Sequence, residues 1–115
     1  MQCSLEVLAS HAAAVDAVRP GDVQPGDWLI VRTRNSTYAL RANGDGTFDA
    51  TGGWFSRNEQ LGLRLRIAGC TMGGSVLLTR ILAAPGMFLE FGNHVRTTRI
   101  CEVRLLRPEP EPTVH

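Results

Sequence analysis

The run Pro25-Gly26-Asp27-Trp28-Leu29-Ile30-Val31-Arg32-Thr33-Arg34-Asn35-Ser36-Thr37-Tyr38-Ala39-Leu40-Arg41-Ala42-Asn43-Gly44-Asp45-Gly46 decides the fold class. Pro25-Gly26-Asp27 has the composition of a turn. Trp28 to Arg34 then reads as a strand, with Leu29, Val31 and Thr33 on one face and Ile30, Arg32 and Arg34 on the other. Asn35-Ser36 is a tight turn, and Thr37 to Ala42 returns with Tyr38 and Leu40 together and Arg41 opposite. Asn43-Gly44-Asp45-Gly46 is the strongest hairpin signal, because Asn, Asp and Gly tolerate the positive φ that such turns require.

Working outward toward the C-terminus, Thr47 to Thr51 is a further short strand, and Gly52-Gly53 interrupts the pattern before Trp54-Phe55. Ser56 to Gln60 is polar and reads as a loop. In Leu61 to Ile67, leucine and isoleucine alternate with Arg64 and Arg66, as in a strand with one buried and one wet face. Gly69 to Ser75 reads as a loop or bulged connection. Val76 to Ala83 is expected to be a strand buried on both faces apart from Arg80. Met87 to Phe91 is another short strand, and Val95 to Leu106 one or two more, with a bend at Thr97-Thr98.

On the N-terminal side, Leu5, Leu8, Ala12, Val15 and Val18 recur near a 3.6-residue period, so Ser4 to Val18 is expected to be a short helix or a weakly docked arm. The expected organisation is an N-terminal helix or arm with linker over 1–24, a β domain over 25–107, and a disordered Pro/Glu tail over 108–115. The fold class is mainly all-β: a small β-barrel or sandwich of about six to eight short, mostly antiparallel strands, with turn signals every ~8–12 residues.

The chain has 115 residues, 43% of them apolar, which suits one domain with a real core. No apolar run approaches the ~20 residues of a spanning helix, and the first residues lack the basic leader of a signal peptide. Three scattered cysteines argue against a disulfide framework. The expectation is a cytoplasmic protein without a membrane segment. Net charge is +1, but residues 27–107 carry +5 and each flank −2. All basic residues are arginine, which a GC-rich coding sequence explains as readily as a preference for phosphate or carboxylate.

Motifs for catalysis are weak. Cys70 lies in a glycine-rich stretch, but a reactive thiol needs a base, and the only candidate is His94 in the polar turn Gly92-Asn93-His94. A thiol-dependent enzyme at Cys70 is therefore the remote alternative. The glycines around it match no phosphate-binding motif. No metal-ligand spacing is present, and no cofactor is implied. The carboxylates Asp27, Asp45 and Asp49 lie at or near turns, where Asp is expected for backbone reasons.

What remains is an arginine-rich sheet face. Arg32, Arg34, Arg41, Arg64 and Arg66 fall on the polar sides of predicted strands, and Trp28 and Trp54 lie at strand ends where they could stack on bases. The favoured reading is a non-enzymatic binding module, with single-stranded nucleic acid as the candidate partner; the bland account of the same face is an ordinary solvated surface. The alternative is a homo-oligomerising or protein-partner-binding module that uses Trp54-Phe55.

The pattern Gly-Asp, apolar strand, Thr33-Arg34-Asn35-Ser36-Thr37-Tyr38, strand, together with Gly86 to Phe91 and Thr97-Thr98-Arg99-Ile100, resembles a group of small bacterial β-rich proteins. The resemblance spans about residues 25–106 and implies a compact β domain. No activity is attached to that group, so it transfers no functional residue. The strand-turn-strand opening is also similar to SH3-like and Sm-like barrels, a likeness of architecture that does not carry function.

Overall fold

The computed structural model describes residues 13–60 and 62–108. Its elements are β1 (Ala13–Val15), a 3-10 turn (Pro20–Asp22), β2 (Trp28–Thr33), β3 (Thr37–Ala42), β4 (Thr47–Gly52), α1 (Gly53–Arg57), β5 (Leu63–Thr71), β6 (Phe88–Phe91) and β7 (Ile100–Leu106). The strands form one curled sheet in the order β1-β7-β2-β3-β4-β5-β6, and every pairing is antiparallel. The choice between barrel and sandwich is thus resolved as a half-barrel.

Alternation builds the inner face. Leu29, Val31, Tyr38, Leu40, Phe48, Ala50 and Val103 project inward from the central strands and are buried. Each large apolar side chain withdrawn from water contributes roughly 1.5–3 kcal/mol. Packed on that face are Leu82, Ala83, Met87, Leu89 and Phe91 from the second half of the chain, together with Val18 from the segment after β1. Backbone hydrogen bonds from Leu82 N–H to Val18 O (2.8 Å), Ile100 N–H to Met87 O (2.8 Å) and Gly86 N–H to Ile100 O (2.8 Å) hold this cover in place.

β5 makes the curl. Its first half pairs with β4, with Arg64 and Arg66 exposed. Its second half shifts register between Ile67 and Gly69 and pairs with β6, and its last three residues, Gly69, Cys70 and Thr71, are buried. Gly69 has φ +147°, and a Cβ there would lie 2.5 Å from the Leu78 carbonyl oxygen, so only glycine lets the two backbones approach. The glycine stretch expected to be a loop or bulged connection therefore begins as strand and becomes a turn only after Thr71.

Three expectations are corrected. Residues 4–12 of the expected helix lie outside the described residues, but Ala13–Val15 form a strand paired with β7, and Val18 bridges Ala83. The sheet thus includes residues before the expected start at Pro25. Val76 to Ala83 is not a strand: Leu78 and Ala83 make single bridges, and Val76 is 72% exposed. Ser56 and Arg57, the start of the expected loop, belong instead with Trp54-Phe55 to the one-turn helix α1. Leu61, the expected first residue of the fifth strand, and tail residues 109–115 lie outside the described residues.

Candidate nucleic-acid interface

Residues paired across antiparallel strands share a face, so the registers fix which side chains stand together. One outward row reads Leu106 (β7), Trp28 (β2), Arg41 (β3), Asp49 (β4), Arg64 (β5). At strand spacing, Trp28 and Arg64 are roughly 14 Å apart. The next row contains Arg104, Ile30, Ala39 and Thr51, and a third contains Glu102, Arg32 and Thr37. Ile30 is only 2% exposed although it points outward, flanked by Ala39 and Arg104 on the neighbouring strands.

Carboxylates break up the positive charge of this face. Arg64 Nε lies 3.3 Å from Asp49 Oδ1, Arg104 Nε 2.8 Å from Glu102 Oε1, and Arg32 Nε 3.8 Å from the same Glu102 oxygen. A hydrogen bond from Asn43, then the Arg64 guanidinium, holds the Asp49 carboxyl below its ordinary range. Glu102 is held down chiefly by Arg104. Arg41 is exposed and makes no ion pair or side-chain hydrogen bond among the described residues. Beside it a shallow groove of about 410 Å³ runs along Gln24, Gly26, Asp27 and Arg107.

Asp27 anchors the groove. Its side chain is nearly sealed from solvent and accepts hydrogen bonds from Arg107 Nη2 (2.9 Å), Arg107 Nε (3.1 Å) and the Gln24 N–H (2.8 Å). The bidentate arginine holds the carboxyl below the usual aspartate range, against the opposing effect of burial.

The remaining sequence candidates are distributed differently. Arg34 follows β2 at the opposite end of the strand from Trp28. Arg66 projects outward opposite Thr47, but its guanidinium lies over the hairpin turn: a Cβ on Gly46 would meet Nη1 at 2.5 Å. Trp54 belongs to the inner side, packed edge-on against Phe55 with ring centroids 5.3 Å apart. Phe55 is 0% exposed and stacks edge-on with Tyr38 and Phe91 as well, so it presents no contact surface. Among the described residues, the large exposed apolar side chains are instead Met72 and Val76, each 72% exposed, and Leu78 at 40%.

Cys70 is sealed in the core, and its thiol donates to the Leu82 carbonyl at 3.2 Å. Burial pushes it up to about 11. His94 is exposed in its turn, so the arrangement supplies neither thiolate nor base. Among the described residues, no three His, Cys, Asp or Glu side chains converge as a metal site, and no helix is long and apolar enough to cross a membrane.

No family model, curated protein or solved structure matches this chain. The site therefore rests on its own geometry. That geometry adds Arg104, Glu102 and Asp49 to the face, which sequence reasoning left out of the site. The alternation of Glu102 and Arg104 with Val103 and Leu105 carried the signal. Asp49 read as a turn residue, and only the β3–β4–β5 register places it between two arginines.

Proposed function

We propose that this protein is a non-enzymatic module that binds single-stranded nucleic acid across the outer face of its sheet. The carrying observation is the adjacency of Trp28 and Arg41 in one cross-strand row, with Arg64 two strands further along. An aromatic ring beside the Arg41 guanidinium, which makes no ion pair among the described residues, offers a base a stacking platform and its phosphate a counter-charge, and Arg64 adds a second once Asp49 is displaced. Arg32 extends the contact along β2. Trp54 and Phe55 take no part.

The test is fluorescence anisotropy with labelled oligo-dT and oligo-U at low salt, where phosphate contacts are strongest. Saturable binding is expected, and Trp28→Ala weakens it by about tenfold, within the ~1–3 kcal/mol attributed to one stacked base. Absence of binding at low salt overturns the reading.

A further inference from the structure

A second concavity lies at the end of the half-barrel, where the 3-10 turn and the segment after it face the β3–β4 hairpin. It is a cleft of about 320 Å³, at the small end of ligand-sized cavities. Its floor is apolar: Ala42, Phe48 and Leu82 are buried core residues, and Ile67 is half-buried beside them. The rim is polar and carries Arg66, Gln24 and Thr79.

Arg66 is the distinctive element. None of the ion pairs among the described residues involves it. The carboxylates nearest the hairpin are committed elsewhere: Asp45 to Thr47, and Asp49 to Asn43 and Arg64. The side chain is exposed but folds back over the hairpin turn. It lies across Gly46, in space that any other residue at φ +87° would fill with its Cβ. The side-chain amide of Gln24 and the hydroxyl of Thr79 make no hydrogen bond among the described residues either. An arginine and two exposed polar side chains, none bonded to another described residue, thus ring an apolar floor.

We propose that this cleft binds a small amphipathic carboxylate: one carboxyl group on a compact apolar body. The guanidinium fork matches a carboxylate with two parallel hydrogen bonds. A single arginine balances a single negative charge, which disfavours phosphate dianions and polyanions. The floor of Ala42, Phe48, Ile67 and Leu82 rewards an aliphatic or aromatic body that a bare inorganic anion lacks. This inference goes beyond the proposed nucleic-acid reading and does not rest on it, since Arg66 is not among the arginines that carry that function.

The experiment is a titration of the full chain by two-dimensional ¹H–¹⁵N NMR with benzoate, with neutral benzamide and with inorganic phosphate, on wild type, Arg66→Gln and Arg66→Lys. Benzoate is expected to shift the amides of Ala42, Phe48 and Leu82 saturably. Benzamide binds wild type at least about tenfold more weakly, as does benzoate the Arg66→Gln variant, through loss of charge-assisted hydrogen bonds. Arg66→Lys retains part of the affinity. Arg66 is exposed, so both variants keep the wild-type spectral dispersion. Equal binding of benzoate and benzamide, undiminished benzoate binding by Arg66→Gln, displacement of benzoate by equimolar phosphate, or no binding of benzoate would each overturn the proposal. Unchanged oligonucleotide binding by Arg66→Gln separates this outcome from the fate of the sheet face.

Discussion

A carboxylate held inside a protein by an arginine stabilises the fold only while it is charged, and Asp27 is in that position. Its folded pKa is depressed below an unfolded value near ~3.9. Its contribution is therefore complete well above that value and is lost as the pH falls through the folded pKa. Asp27→Asn is expected to lower stability at pH 7 by about 2 kcal/mol, the scale of hydrogen bonds to a charged group. In urea titrations the gap between the two proteins narrows below about pH 4. A constant gap at pH 7 and pH 3 would assign the loss to packing. The two described cysteines make a second contrast. Cys70 is buried with a raised pKa, whereas Cys101 is exposed. Peptide mapping after iodoacetamide treatment of the folded protein is expected to find Cys101 alkylated and Cys70 intact, with Cys70 reacting only in denaturant. Labelling of Cys70 at the rate of Cys101 would contradict the sealed core.

At the scale of elements, Gly69 is the position on which the curl of β5 depends. Gly69→Ala combines a left-handed backbone with a methyl group 2.5 Å from the Leu78 carbonyl oxygen. It is expected to cost about 1–3 kcal/mol, the range for local backbone strain. Gly21→Ala, where a Cβ meets nothing within 4 Å, changes stability by less than about 0.5 kcal/mol. Melting temperatures of the pair check this, and equal effects would remove Gly69 from its role. The β2–β3–β4 meander was legible because turn chemistry and period-two burial are local and agree with each other. Two segments were not legible, for one shared reason. The residues around Val15 carry a weak, alanine-rich helical period, and pairing with a distant strand, Ala13 with Leu105, overrides it. Of Val76 to Ala83, Leu82 and Ala83 cover the inner face, a task that needs no ladder, while Val76 and Leu78 are exposed. Neither partner is encoded nearby in sequence.

For the whole molecule, the question is how much of the charge on residues 27–107 is available to a polyanion. Reading strand faces put Arg32, Arg41 and Arg64 on one surface, as the registers have it. It overcounted their free charge, because the carboxylates that neutralise them arrive from other strands: Asp49 from β4 and Glu102 from β7. Phosphates must displace these carboxylates to reach Arg64 and Arg32, whereas Arg41 makes no ion pair among the described residues. About two net phosphate contacts are expected, so log K should fall with log salt at a slope of about −1.4, at ~0.7 per contact on a single strand. Asp49 is then an internal competitor standing between Arg41 and Arg64 in the same row. Asp49→Asn keeps an amide of similar shape, removes the competing charge and frees Arg64. It should tighten oligonucleotide binding and steepen the slope by about 0.7, whereas Arg41→Gln should weaken binding and flatten it by a similar amount. Anisotropy titrations over a series of salt concentrations measure all three. If Asp49→Asn leaves affinity and slope unchanged, the strand does not cross this row, and the arginines there serve as solvated partners for the acids beside them.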